Sequence, residues 1–273
     1  MENGTITYTQ LLREDLGIFR VTPDGEVPDF KAGQFLTLGL PLDSKIVNRA
    51  YSITSSPQNK NFFEFVIRWV RRPLPGRLTS LLFNAKEGDK ISWAKPAGNL
   101  TINDVLPNGE KDTRRIVCIG GGTGLAPFVS FAQHLHDTHD KREIVVLHGA
   151  SYVDELSYKR LLTDFENESK ERGTDEWNFL YRAAISRPKE QYNRSWNGQV
   201  GRVESFFKEN AQGVSPLDEL VGEKVTPENT RIYICGYQGT IDGVMEYVAD
   251  RGFVNRDNPH EDGTFEVKYE SYG

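Results

Sequence analysis

The chain has 273 residues, 37% of them hydrophobic and 26% charged, with 33 basic against 39 acidic side chains and a formal net charge of −6. That length suggests two domains, each able to bury its own core. The aromatic content of 11% is too high for a disordered chain, and the mild acidity argues against a general nucleic-acid binder. No stretch reaches the roughly 20 apolar residues of a bilayer-spanning helix, and MENGTITYTQ lacks the pattern of a secretory leader. The two cysteines, Cys118 and Cys235, lie far apart in apolar strand-like runs. They provide no disulfide framework, four-cysteine zinc site or cysteine-ligated iron–sulfur cluster, and they point to a reducing compartment, the cytosol.

The first ~110 residues read as β-rich. TITYTQLL, LGIFRVTP, GQFLTLGL, NRAYSITS, FFEFVIRWV and DKISWA are short alternating or β-branched runs separated by Gly, Pro, Asn and Asp. This is the spacing of an antiparallel barrel or sandwich. Only Leu78–Phe83 has a helical pattern in this half. A linker near Ile102–Thr113, rich in Pro, Gly, Asn and Asp, ends it.

From about Asp112, strands alternate with helices. RRIVCIG predicts a strand, then a glycine loop and a helix to about His136. EIVVLHGA predicts a strand, VDELSYKRLLTDFENESK a helix, WNFLYRAAIS a strand, VESFFKENA a helix, RIYICG a strand and TIDGVMEYVADRG a helix. Such alternation implies a doubly wound parallel sheet.

Several motifs carry chemistry. GGGTGLAP, Gly120–Pro127, follows a strand and opens a helix. Glycines there let the backbone approach a phosphate or ring, and helix-start N–H groups favour an anion. The GxGxxP spacing departs from GxGxxG, and no GK[ST] follows. In Arg49-Ala50-Tyr51-Ser52 the guanidinium can clamp a pyrophosphate, the Tyr ring can stack on a flat heterocycle, and the Ser hydroxyl can bond a ring nitrogen. GRLTS, from Gly76, opens the helix-like turn of the first half and is a natural anion seat.

RAYSITSSP, GRLTSLL, KPAGNL, GGGTGLAPF, AAISR, YICG and a C-terminal aromatic, in that order, resemble the ferredoxin–NADP(+) reductase family, most closely its bacterial branch. The resemblance runs from Gln34 to Tyr269. It implies a two-domain β plus α/β protein. Residues 1–110 would form an N-terminal antiparallel β-barrel binding FAD, and residues 111–273 a doubly wound parallel α/β sheet binding NADP. Arg49 with Ala50 would contact the FAD phosphates, Tyr51 the flavin face, and Ser52 the flavin N5 region. Gly76, Leu78, Thr79 and Ser80 would form the second phosphate loop. Val66 to Arg68 would line the adenosine. Thr123 and Gly124 would sit where flavin and nicotinamide meet, with Cys235 and Gly236 beside the nicotinamide, the thiol as positioner rather than nucleophile.

Ser186 and Arg187 end a strand where open α/β sheets bind ligands. A Ser–Arg pair suits a 2′-phosphate and an acid would suit a 2′-hydroxyl, so NADP is expected over NAD. Arg194, or in second place Arg202, would add another cation. Tyr269 would cover the second flavin face, with Tyr272 as the alternative, and Glu266 or Glu270 is a candidate proton relay.

His134, His136 and His139 sit at a helix end and read as dipole partners rather than metal ligands, and His148 reads as core. No metal site is expected. Arg68, Arg71, Arg72, Arg77 and Lys86 form a segment without an acid between Glu64 and Glu87. A local basic patch there would steer an acidic electron carrier, ferredoxin or flavodoxin. The function expected is a cytoplasmic FAD-dependent oxidoreductase transferring electrons between NADP(H) and such a one-electron carrier. The alternative is an NAD(P)H-dependent diaphorase or oxygenase-reductase component.

Overall fold

The computed structural model describes residues 1–71, 76–106 and 108–272; Arg72 of the expected basic segment lies outside them. The first half contains six strands: β1 (Glu2–Arg13), β2 (Leu16–Pro23), β3 (Phe35–Leu42), β4 (Lys45–Ser52), β5 (Phe63–Arg68) and β6 (Lys90–Trp93). They pair antiparallel in the order β4-β3-β6-β1-β2-β5. Thr54 N–H donates to the Glu64 carbonyl at 2.8 Å, joining the chain beyond β4 to β5 and bringing the two ends of the sheet together. Alternation along each strand sends one set of side chains inward. Leu36 and Leu38 of β3, Phe19 and Val21 of β2, Phe63 and Phe65 of β5 and Trp93 of β6 form the core. The Phe63 and Trp93 ring centroids lie 5.3 Å apart.

The helical pattern predicted at Leu78–Phe83 is helix α1 (Arg77–Asn84), which buries Leu78, Thr79 and Leu82.

The second half contains β7 (Arg115–Gly121), α2 (Ala126–Asp137), β8 (Ile144–Ala150), α3 (Lys159–Arg172), β9 (Phe179–Ile185), β10 (Gln199–Val200), α4 (Pro216–Val221), β11 (Thr230–Gly236), α5 (Gln238–Ala249) and β12 (Val267–Ser271). Six parallel strands stand in the order β10-β9-β8-β7-β11-β12. β7 and β8 are buried along nearly their whole length, as expected of strands covered on both faces. Val117, Ile119, Val145, Leu147, Ile232 and Ile234 pack with Ile241, Val244 and Val248 of α5.

Besides β10 and α4, which the sequence reading did not assign, three elements differ from the expectation. The helix predicted from Val153 is interrupted: Val153–Glu155 is a 3-10 turn, Tyr158 is left-handed at φ 56°, and α3 starts only at Lys159. VESFFKENA yields a short 3-10 helix, Val203–Phe207, whose Val203, Phe206 and Phe207 are buried. The C-terminal run is itself a strand, β12, parallel to β11.

Two compact units emerge, residues 1–102 with 126–138, and residues 103–125 with 139–273. α2 thus packs with the barrel strands. Ser130 Oγ donates to the Ser55 carbonyl at 2.8 Å, Gln133 Nε2 to the Thr54 carbonyl at 2.7 Å, and Ser56 Oγ to Asp137 Oδ2 at 2.6 Å. In the second unit, Asp112 holds Arg114 and, at 2.7 Å, Arg231 Nε. Burial pushes the Asp112 carboxyl up, but the hydrogen bonds from Arg114 and Arg231 outweigh it and hold the pKa down at about 2. No helix among the described residues is long and apolar enough to cross a membrane.

Candidate functional site

In the first unit the site is built on β4 and the start of α1. β4 is an edge strand with Arg49 and Ala50 exposed and Tyr51 and Ser52 half-buried. Its register against β3 pairs Arg49 with Leu38, Tyr51 with Leu36 and Ser52 with Phe35. The Tyr51 hydroxyl lies 3.0 Å from Thr79 Oγ1; burial pushes its pKa up. Gly76 is the N-cap residue of α1, with no side-chain cap and no acid in the first turn. A methyl group on Gly76 would lie 3.2 Å from Thr79 Oγ1 and 3.5 Å from Arg49 Nη1.

A guanidinium therefore stands over an uncapped helix start, beside a half-buried tyrosine ring. That arrangement fits a pyrophosphate carried by a flat heterocycle, the chemistry of FAD. Ser80 closes the first turn from inside, its Oγ donating to the Gly76 carbonyl at 2.8 Å. Leu78 serves the core. Val66 is buried in mid-strand, and Arg68 Nη1 donates to Asp15 Oδ2 at 3.0 Å.

In the second unit the strand order reverses between β7 and β11, since β7 continues to β8 on one side while β11 lies on the other. Open α/β sheets bind dinucleotides beyond the carboxyl ends of strands at such a switch point. Gly120–Gly121 and Cys235–Gly236 end these two strands. Gly122 has φ +57°, a conformation that favours glycine, and it opens a 3-10 turn through Leu125. A methyl on Gly124 would fall 2.1 Å from the Cys235 carbonyl oxygen, so only glycine lets the two strand ends approach this closely.

Cys235 is buried, and burial, reinforced by Glu270, pushes its thiol up. It is a neutral side chain here, not a thiolate. Glu270 is its neighbour in the β11–β12 register, and burial raises its carboxyl pKa. Glu266 lies before the start of β12, its backbone carbonyl accepting from Ile232 N–H.

The C-terminal aromatics separate. Tyr269 pairs with Ile234, packs against the sheet core and donates its hydroxyl to Asp257. Side chains alternate along β12, so Tyr269 faces the core while Tyr272, three residues on, reaches the switch point. The Tyr272 hydroxyl donates to the Gly121 carbonyl at 2.7 Å and lies 3.4 Å from Thr123 Oγ1.

At the carboxyl end of β9, Arg187 Nη1 donates to the Tyr152 hydroxyl at 2.8 Å, with its guanidinium 5.4 Å from the Tyr152 ring centre. Tyr192, 76% exposed, meets Tyr152 edge-on. Buried Asn193 braces this corner, its amide donating to the Ser151 and Arg187 carbonyls and its oxygen accepting from Val153 N–H. Glu155 is turned inward to accept from the N–H groups of Ser151 and Tyr152. Arg194 is exposed at the end of a 3-10 turn. Val200 pairs with Ile185 and Gly201 N–H bonds to the Ile185 carbonyl, so Arg202 leaves the sheet beside Ser186 and Arg187.

Sequence reasoning missed Tyr152, Tyr192 and Asn193. Position at strand ends was the available signal, but their loops read as ordinary connections. The expectation that His148 is core holds: it is fully buried in β8, and its Nε2 lies 3.1 Å from the Gly122 carbonyl.

Two residues of the expected basic patch, Arg68 and Arg71, lie against acids, while Arg77 and Lys86 are exposed. Besides the Arg68–Asp15 bond, Arg71 lies 3.7 Å from Glu14 Oε2 and Arg13 3.6 Å from Asp15 Oδ1. The β1–β2 turn supplies acids that are remote in sequence from the arginines. The helix-end histidines are used locally: His134 Nδ1 lies 3.0 Å from Gln58 Oε1.

Comparison with known proteins agrees with this geometry. Residues 3–102 match the oxidoreductase FAD-binding domain and residues 118–246 the oxidoreductase NAD-binding domain. The chain is 30% identical to the ferredoxin–NADP reductase of Azotobacter vinelandii over 226 residues, covering 82% of this chain and 80% of that one. A ferredoxin NADP+ reductase from Neisseria gonorrhoeae, solved with bound FAD and NADP, superposes with a TM-score of 0.76 at 22% identity, covering 98% of this chain and 97% of that one. The flavohem-like FAD/NAD-binding domain of a nitric oxide dioxygenase from Vibrio cholerae O1 biovar El Tor gives a TM-score of 0.74 at 15% identity, covering 100% and 98%. An Arg–Tyr–helix cradle on the barrel, a glycine-lined switch point on the parallel sheet, and these matches together show that the chain belongs to the ferredoxin–NADP reductase family of oxidoreductases.

Proposed function

We propose that this oxidoreductase moves electrons between NADP(H) and a one-electron carrier protein, ferredoxin or flavodoxin, in the cytoplasm. The observation that carries the nucleotide assignment is the end of β9. Ser186 and Arg187 follow Ile185 there, Arg202 lies alongside, and the nearby Glu155 is spent on backbone N–H groups. Two cations and a hydroxyl suit a 2′-phosphate. Arg202 takes the role of second cation in preference to Arg194, because its backbone is tied to Ile185 through Gly201.

When bound, FAD supplies the redox chemistry, exchanging hydride with the nicotinamide and single electrons with the carrier. The chain's own residues bind and orient. Arg49 and the N–H groups of α1 hold the pyrophosphate, and Tyr51 covers one flavin face with Ser52 at its edge. Gly124 and Cys235 shape the nicotinamide seat. Tyr272 takes the part of the terminal aromatic in preference to Tyr269, whose hydroxyl is engaged with Asp257. Glu270, with its raised pKa beside Cys235, is the better proton relay of the two candidate glutamates.

A protein carrier is supported by the name of the Azotobacter relative and by the cysteines, both buried strand residues, which give this chain no ligand set for an iron–sulfur cluster. Stopped-flow reduction by NADPH and by NADH, followed by mixing with ferredoxin or flavodoxin, tests the whole reading. Fast reduction by NADPH and rapid oxidation by a carrier support it. Equal rates with NADH, or no transfer to either carrier, would sink it in favour of a diaphorase.

A further inference from the structure

Tyr272 does not stand alone in the switch-point crevice. Its hydroxyl donates to Gly121, its backbone N–H donates to the Gly236 carbonyl at 3.2 Å, and its ring meets the ring of Tyr237 at a centroid distance of 5.1 Å and an angle of 53°. Tyr237 is the N-cap residue of α5, directly after Gly236, and is 53% exposed. Its extended backbone, at φ −65° and ψ 155°, is unstrained.

A dinucleotide whose reactive ring is to lie against Cys235 and Thr123 needs the volume that the Tyr272 ring fills. Leaving costs Tyr272 its bond to Gly121, but water can serve the freed hydroxyl and carbonyl. Nothing in solvent replaces the ring–ring contact, which lies within the range where aromatic pairs attract beyond simple area burial. The contact therefore weighs on the closed arrangement alone. A ligand that binds only the open arrangement has its apparent affinity reduced by the fraction of molecules that are closed.

We infer that Tyr237 is a latch on Tyr272, a positioning residue that holds the nicotinamide seat closed and lowers the apparent affinity for NADP(H). This rests on the reading of Tyr272 as the ring the nicotinamide displaces. The latch gives the C-terminal ring a resting position to which it returns when the nicotinamide leaves. Because Tyr237 is largely exposed and caps α5 only through its backbone, its removal leaves the fold intact.

A double-mutant cycle on the FAD-loaded protein tests this, with NADP+ dissociation constants from calorimetry and kcat and KM measured alongside. Tyr237→Ala should tighten NADP+ binding about two- to ten-fold and lower KM more than it changes kcat. Tyr237→Phe, which keeps the ring, should match the parent. Tyr272→Ala should tighten binding further, and in that background Tyr237→Ala should have no added effect. An equal effect of Tyr237→Ala in both backgrounds would overturn the latch, since Tyr237 would then act on the ligand directly. Tighter binding in Tyr272→Ala with none in Tyr237→Ala would overturn the latch and leave the role of Tyr272 standing. Unchanged or weaker binding in Tyr272→Ala would overturn the assignment of Tyr272 itself.

Discussion

The imidazole of His148 holds the carbonyl of Gly122 at 3.1 Å, while its other nitrogen lies 3.4 Å from the Tyr181 hydroxyl. The ring is neutral, with Nε2–H donating to the glycine loop and Nδ1 accepting from the phenol. Full burial pushes its pKa down to about 4 from 6.5. The unfolded chain thus binds a proton in a pH range where the folded one does not, and stability rises with pH through that window. This contribution is fully present above pH 6.5 and is lost as the pH falls toward 4. The expected size is about 3 kcal/mol. Denaturant unfolding at pH 7 and pH 4.5 should show a steeper acid loss in the parent than in His148→Gln. Identical losses would refute the assignment.

Arg49 stands 3.5 Å from the position of a Gly76 methyl, and Arg49→Ala should release FAD most readily. Removing a charge-assisted clamp corresponds to a roughly 10- to 100-fold weaker affinity. Fluorescence of the flavin liberated on dilution measures it, and retention equal to the parent would contradict the cradle.

Arg187 and Arg202 should act on NADPH and leave NADH untouched. Each alanine variant should raise KM for NADPH by about ten-fold or more with little change for NADH. Arg194→Ala should leave both unchanged. A larger effect at Arg194 than at Arg202 would reverse the choice between them.

Gly124→Ala puts a methyl 2.1 Å from the Cys235 carbonyl. Backbone cannot yield as a flexible side chain can, so the two strand ends must separate. The variant should keep FAD, which is bound by the other unit, and lose NADP+ binding in a calorimetric titration. Normal NADP+ affinity would show that the close approach is dispensable.

Asp112→Ala strands Arg231, which is 6% exposed and bonded to that carboxylate. Breaking a buried pair from one side costs about 3–5 kcal/mol. Thermal unfolding followed by circular dichroism should show a fall in Tm of many degrees. In the parent, the stability contributed by the depressed Asp112 pKa holds above 3.8 and is lost as the pH falls through about 2.

Much of this was legible in the sequence because the signals were local. Six strands of the barrel, the helix at Leu78 and the β7–glycine–α2 unit all follow from periodicity and punctuation within a dozen residues. What escaped depends on partners distant in the chain. Nothing near Arg68 and Arg71 announces that Glu14 and Asp15 lie against them. The run VDELSYKRLL has helical spacing, yet Tyr158 adopts φ 56° and breaks it. FEVKYES alternates Phe265, Val267 and Tyr269 with polar residues, a strand pattern that the sequence reading left unassigned and that pairing with β11 realises. That pairing sets the alternation that sends Tyr269 inward and leaves Tyr272 at the crevice.

The three hydrogen bonds between α2 and Thr54, Ser55 and Ser56 tie the continuation of β4 to a helix encoded 75 to 81 residues later. Domain shuffling between relatives must respect that tie. A chimera joined near residue 110 would inherit a foreign α2, with Ser130 and Gln133 replaced by whatever the donor carries. A methyl on Gly33 would fall 2.4 Å from the Phe131 ring, so even the fit of that ring depends on the recipient barrel. Functional exchange of nucleotide domains therefore calls for a discontinuous graft, in which the recipient keeps its own Ala126–Thr138.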